Sequence, residues 1–229
     1  MRKLSLFVGL TLFALAGSAR AQDEAPAVAP AAESTPSAEA APAPAAAAAP
    51  ESKMQIGVAF LPMLMGKMGA GPSGDDTWSD LKLAYGVGLS FSYNVIAGLS
   101  VGIAPQALFA VKPKDGGGDA ITEYDIMARI AYAYSVIPKL AVYAEALPGY
   151  SILSLPDSLT MMGEKPDSPK GFVVGFGAGA AYDITDQFFA NVGVGYQMAF
   201  QKTKTPGENE DYDMRTKFLR IAVGGGMKF

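Results

Sequence analysis

Apolar and polar positions alternate along eight stretches of this chain, and the last stretch sets the pattern for the rest. Between Arg215 and Phe229 the odd positions carry Leu219, Ile221, Val223, Met227 and Phe229, while the even positions carry Arg220, Ala222, Gly224, Gly226 and Lys228. A period of two predicts a strand with one apolar face and one small or polar face. Seven earlier stretches read the same way. Met54 to Met65 sets Ile56, Val58, Phe60 and Leu64 against Gln55, Gly57 and Ala59. Leu81 to Tyr93 sets every odd residue, Leu81 and Leu83 included, against Lys82, Ala84, Gly86, Gly88, Ser90 and Ser92. Leu99 to Val111 sets Leu99, Val101, Ile103 and Phe109 against Ser100, Gly102, Ala104 and Gln106. Tyr124 to Tyr134 sets Ile126, Ile130 and Tyr132 against Asp125, Arg129 and Ala131. Leu140 to Ile152, Phe172 to Tyr182 and Phe188 to Phe200 complete the set. Their second faces hold Tyr143, Glu145 and Ser151, then Gly175, Gly177 and Gly179, then Asn191, Gly193, Gly195 and Gln197.

The connections alternate as well. Asn94 to Gly98, Val136 to Lys139 and Asp183 to Gln187 read as short turns built from Asn, Gly, Pro and Asp. Gly66 to Asp80, Lys112 to Glu123, Ser154 to Gly171 and Gln201 to Met214 read as long polar loops. Both ends of the strand array therefore fall on the short-turn side. Each strand is about the length that a tilted membrane-crossing strand requires, and no stretch outside the leader is apolar for eighteen residues, which excludes a membrane helix.

The positions of the aromatic residues choose between a soluble and a membrane barrel. Phe109, Tyr124, Tyr150, Phe172 and Phe200 fall on the apolar face near the long loops. Tyr93, Tyr132, Tyr134, Tyr182, Phe188 and Phe229 fall on it near the short turns. Two aromatic girdles flanking an apolar band belong at two membrane interfaces. A soluble eight-stranded barrel would turn its bulky apolar residues inward. The predicted fold is all-β, an eight-stranded antiparallel up-and-down transmembrane β-barrel spanning residues 53–229.

Ahead of the barrel, Met1-Arg2-Lys3 precedes an apolar run from Leu4 to Ala16, and Ala19 and Ala21 occupy the A-x-A positions. Residues 1–21 read as a secretory signal peptide, too short to span a membrane. Residues 22–52, almost wholly Ala, Pro, Glu and Ser, read as a disordered periplasmic linker that reaches at most roughly 90 Å at about 3.1 Å per residue. Removing Arg2, Lys3 and Arg20 leaves fifteen basic against twenty-two acidic residues, a mature net charge of −7. That balance disfavours nucleic acid as a partner.

The chain holds no His and no Cys. Without the usual general base or thiolate nucleophile, no catalytic residue and no cofactor is expected. The acidic stretches Asp115 to Asp119 and Glu208 to Asp213 lack EF-hand spacing and read as solvated loops, so no metal is expected. Lys202, Lys204, Arg215 and Lys217, near the last loop, are placed to meet lipid phosphates.

Over residues 53–229 the chain resembles the small outer-membrane β-barrel family that includes the transmembrane domain of outer membrane protein A. The resemblance rests on eight alternating strands, short turns opposite long loops, interior charges and terminal Phe229. It implies a Gram-negative outer membrane location with both termini periplasmic. It also implies a monomer surrounded by outer-membrane lipids and lipopolysaccharide. Phe229, with Met227, Val223 and Ile221, would form the signal read by the barrel assembly machinery. With Phe229 read as the terminal residue, no peptidoglycan-binding domain is expected, and cell-wall anchoring is not among the expectations carried over. The family's enzymes depend on His, and its other members are structural proteins, adhesins, resistance factors and narrow channels. Two roles follow as expectations: a structural or surface-interaction protein whose long loops meet an extracellular ligand, and a porin-like low-conductance pore.

The interior faces give the sharpest expectation. Arg129 and Glu145 flank a tight turn near Ile137 and Pro138, opposite one another or one diagonal step apart, and Arg220 lies across the ring. Arg129, Glu145, Arg220 and Asp125 are expected to form a lumen ion network in which Glu145 holds both arginines. Truncating Glu145 should then lower stability and raise conductance.

Overall fold

The computed structural model describes residues 53–72, 77–114, 119–156, 167–204 and 211–229. The expected signal peptide (1–21) and linker (22–52) lie outside the described residues, as do 115–118 and 208–210 of the two acidic stretches. The strands are β1 (Met54–Pro72), β2 (Thr77–Asp80), β3 (Ala84–Ile96), β4 (Leu99–Val111), β5 (Ile121–Ile137), β6 (Leu140–Ser154), β7 (Lys170–Asp183), β8 (Phe188–Lys204) and β9 (Asp211–Lys228). From β3 onward sequential neighbours pair antiparallel, and β9 returns to pair with β1. β2 pairs with the far end of β1 while β3 pairs with its near end. Together they form one interrupted barrel strand, so the ring is a closed eight-stranded antiparallel barrel. Closure removes the free sheet edges that would otherwise leave backbone groups unpaired.

The predicted alternation sorts the two faces. Ile126 is 66% exposed on the outer wall, whereas its chain neighbours Asp125 and Met127 are each 1% exposed in the lumen. Val58, Val87, Ile103, Val192 and Val223 likewise stand on an outer surface with no protein to cover it. Tyr150, Phe172 and Phe200 face one another across three adjacent strands, β6, β7 and β8. Tyr93, Tyr132, Tyr134, Tyr182 and Phe188 are exposed near the short turns, and Tyr124 is exposed and Phe109 half-buried toward the long loops.

The turns keep the strands in register. Ile137 pairs with Leu140, so the β5–β6 turn has only Pro138 and Lys139 between them, with Lys139 at φ 78°. Gly98 takes φ 79° in the β3–β4 turn, where an added Cβ would lie 2.6 Å from the carbonyl oxygen of Ala133. Only glycine suits that position.

Alternation fails where the chain inserts a residue. The first strand was expected to end at Met65 but runs on to Pro72, with a register shift between Leu64 and Lys67 and Met65 at φ 47°. Before this bulge the even residues face outward; after it Lys67 faces outward and Met68 inward. A bulge flips every later side chain, which a strict period of two cannot anticipate. Leu81 was expected outward beside Leu83 but is 2% exposed, because the chain breaks phase at Lys82 and Leu83 between β2 and β3. Ala110, at φ 59°, produces the same inversion and turns Val111 inward. Glu123, expected in a loop, lies on β5 with its side chain buried.

β1 and β9 close the ring down to the last residue. The amide of Phe229 donates to the Met54 carbonyl at 2.9 Å and the Met54 amide donates to the Phe229 carbonyl at 3.2 Å. The Phe229 ring stays exposed on the outside. Phe229→Asp is therefore expected to leave the closing backbone bonds intact but remove an outward aromatic at the interface. The folded, heat-modifiable fraction in membranes should fall several-fold, read by unheated gel mobility; wild-type levels would show that the terminal ring is dispensable for assembly.

Candidate functional site in the barrel lumen

Because β5 and β6 are joined by so short a turn, Ala131 is registered with Glu145, and Arg129 on the same inward face stands one diagonal step away. That spacing suits a long guanidinium reaching a carboxylate. Arg129 Nε donates to Glu145 Oε2 at 2.9 Å and Nη1 donates to Ser92 Oγ at 2.9 Å. Arg220, from β9, donates through Nη2 to Glu145 Oε1 at 2.5 Å. One carboxylate thus accepts from two arginines, one oxygen each. The Tyr143 ring lies 5.9 Å from the Arg129 guanidinium carbon, within cation–π range. Nearer the short turns, Lys228 Nζ donates to both carboxylate oxygens of Asp183, at 2.6 and 2.7 Å.

Asp125, expected in the same network, is not part of it. Two neutral amides hold it instead: Gln106 Nε2 and Gln197 Nε2 donate to Asp125 Oδ2 at 2.7 and 2.8 Å, and Gln106 Nε2 also donates to Gln197 Oε1 at 2.8 Å. The reason is register. Asp125 is paired with Gln106 on β4 and Ser151 on β6, four residues along β5 from Arg129. A strand of four residues covers about 13 Å, beyond the reach of a guanidinium anchored at the Glu145 level. Closer to the long loops, Glu123 accepts from Ser151 Oγ at 3.4 Å and from Thr216 Oγ1 at 3.0 Å, and Gln201 Nε2 donates to Ser151 Oγ at 2.7 Å. Gln106, Gln197 and Ser151 were legible as inward residues, but their joining into cross-lumen layers was not.

Above and beside these layers the lumen is apolar. Leu61, Met63, Met68, Leu81, Leu108, Val111 and Phe218 form one buried cluster, and Met127, Leu147, Val173 and Ala199 form another. A cavity of about 770 Å³ occupies the other half. Asn94, Lys139 and Asp186 line it at the short turns, Arg129, Glu145 and Arg220 along its length, and Gln106 and Leu147 at its inner end. The space is blind: past Gln197 the residues that fill the ring, among them Gln201, Glu123, Thr216 and Phe218, are at most 1% exposed. Among the described residues no group of three or more His, Cys, Asp or Glu side chains converges as a metal site.

The family model described as the outer membrane protein beta-barrel domain matches residues 36–226. In structure the chain is similar to the outer membrane protein OprG from Pseudomonas aeruginosa, with 15% identity and TM-score 0.53 over 78% of this chain and 96% of that one. It is also similar to Neisserial surface protein A, with 15% identity and TM-score 0.47 over 77% of this chain and 97% of that one. The outer membrane protein AlkL, solved in lipid bilayers, shows 15% identity and TM-score 0.49 over 81% of this chain and 94% of that one. No curated protein matches the sequence. At such identities the likeness to OprG speaks for the shared fold.

Proposed function

From the premise that this chain belongs to the outer membrane β-barrel domain family, and so to the bacterial outer membrane, we propose that it is a non-enzymatic structural or surface-interaction protein rather than a solute pore. The observation that carries this reading is the blind lumen, closed by fully buried polar and apolar layers between the cavity and the long-loop end. An eight-stranded ring encloses little more than its own side chains. A chain without His or Cys also lacks the usual base and thiolate of acyl-transfer chemistry.

In this reading the short turns and both termini face the periplasm, the long loops face outward, and the terminal strand is read by the barrel assembly machinery. Lipopolysaccharide phosphates are the partner that the rim chemistry favours. Lys170 and Lys202 stand directly opposite one another on β7 and β8, next to Phe172 and Phe200. Lys204, Arg215, Lys217 and Lys67 extend the basic group across β8, β9 and β1. Asp213 pairs with Lys202 and Arg215, and Asp80 with Lys67. Like charges in register repel unless an anion lies between them, and the six cations outnumber the three acidic residues registered opposite them, Asp80, Asp211 and Asp213.

Planar-bilayer recording of the refolded full chain tests the proposal. No unitary conductance above the lipid baseline is expected. Discrete, reproducible openings would favour the low-conductance pore, a reading for which the large cavity below the seal already supplies half of a path.

A further inference from the structure

The layer around Glu123 has an imbalance that its protein partners do not correct. Glu123 and Asp125 are two residues apart on the inward face of β5, so their Cα atoms lie about 6.7 Å apart at strand rise. Both are almost wholly buried. No lysine or arginine pairs with either among the described residues; their partners are the amides and hydroxyls already described, and the two carboxyl groups lie beside one another. Two further oxygens of the layer, Asp125 Oδ1 and Gln201 Oε1, are buried with no hydrogen-bond partner at all. Gln201 is itself 1% exposed, and its amide nitrogen is anchored on Ser151 Oγ, the hydroxyl that reaches Glu123, so its orphan oxygen belongs to the same layer.

Buried acceptors without donors and buried carboxylates without counter-charge are each costly, and both deficits call for the same remedy. We propose that this layer is a cation site and that its occupant is Ca²⁺, held by the carboxylates of Glu123 and Asp125 and the amide oxygen of Gln201. The available atoms are all oxygens, as a hard cation requires, and two carboxylates match a double positive charge. Ca²⁺ fits better than Mg²⁺. It accepts irregular shells of carboxylate, amide and hydroxyl oxygens, whereas Mg²⁺ demands a near-octahedral shell completed by water that a sealed layer does not supply. Ser151 Oγ and the second Glu123 oxygen are the nearest further ligands. The site would tie β5 to β8 across the lumen and serve as a mineral stay in the seal. Sequence spacing does not disclose it, because its carboxylates come from one strand and its neutral oxygens from others.

The test is metal content and stability of the full chain refolded in detergent with Ca²⁺, then exhaustively exchanged into Ca²⁺-free buffer. Elemental analysis should find one Ca²⁺ per chain. Refolding in chelator should lower the thermal midpoint by several degrees, with recovery on adding Ca²⁺ and not on adding Mg²⁺. Glu123→Gln should remove the bound Ca²⁺ and the chelator effect together; Asp125→Asn serves the same purpose if the first variant does not fold. Equal Ca²⁺ retention in wild type and both variants would place the ion in the acidic loops and overturn the proposal. It would equally be overturned by a wild-type barrel free of Ca²⁺ whose midpoint ignores chelator but falls as pH rises, the behaviour of carboxyls sharing a proton.

Discussion

Glu145→Ala is expected to lower the unfolding free energy of the barrel by about 3 kcal/mol, the low end of the cost of breaking a buried ion pair, and to leave its conductance at the wild-type level. Removing the carboxylate strands two guanidinium groups, Arg129 at 2.9 Å and Arg220 at 2.5 Å from its oxygens, neither of which has another ion pair among the described residues. Water in the adjoining cavity softens the loss, which is why the low end applies. The second half of the expectation departs from the sequence reading, in which unpairing the arginines opens the lumen. The structure places the seal elsewhere, at the Asp125 and Glu123 layers and in the apolar cluster, none of which Glu145 touches. Urea unfolding of refolded protein checks the first half and bilayer recording the second. A rise in conductance would mean that the layers beyond Asp125 yield once the triad is broken, and would return weight to the pore. Glu145→Gln should cost less, since an amide oxygen still accepts one guanidinium bond.

Phe218→Ala is expected to cost about 3–5 kcal/mol, the usual loss for a fully buried aromatic side chain replaced by a methyl group. Phe218 is 1% exposed, and its buried companions include Met63, Leu81 and Leu108. Its ring fills the hollow over Gly66, where even an added Cβ would come within 2.8 Å of it. The bulge in β1 and the ring on β9 therefore fit as a pair. Thermal or urea midpoints of Phe218→Ala and Phe218→Leu give the measure: Leu should recover much of the loss. A Phe218→Ala barrel as stable as wild type would show that the long-loop end tolerates a cavity and that the seal is softer than its packing implies.

Most of the barrel was legible because half of each strand faces lipid and half faces the lumen, and that contrast is written into every second residue. Val192, Val194 and Tyr196 against Gly193, Gly195 and Gln197 could be read in no other phase. The meeting of Arg129 with Glu145 was legible for a related reason: a two-residue turn fixes the register of its hairpin, so inward charges on either side can be placed by counting. Legibility ended at the long-loop end. Met68, Leu81, Val111 and Phe218 build an interior cluster, yet the first and third lie at or beyond bulges, and Leu81 lies at a break in phase. Glu123 looked like loop because it is acidic and follows Gly-rich residues; only the closed ring reveals that it is walled in. Cross-lumen partners such as Gln106 and Gln197 are ninety-one residues apart, and no local pattern relates them.

The uneven lengths of the strands carry one more consequence. β4 has 13 residues and β7 has 14, whereas β8, β9 and β1, which are neighbours in the ring, have 17, 18 and 19. At about 3.3 Å per residue and a tilt of about 40°, the shortest wall stands roughly 33 Å high and the tallest roughly 48 Å, against an apolar band of about 25 Å. The wall is therefore uneven, its longest continuous part being β8, β9 and β1, and the basic group lies along that part. The strand wall at β1 exceeds that at β4 by about 15 Å, so the molecule offers a direction as well as a surface. Two such barrels side by side in a bilayer are distinguishable by compass bearing, and a ligand spanning both would have to choose their mutual rotation.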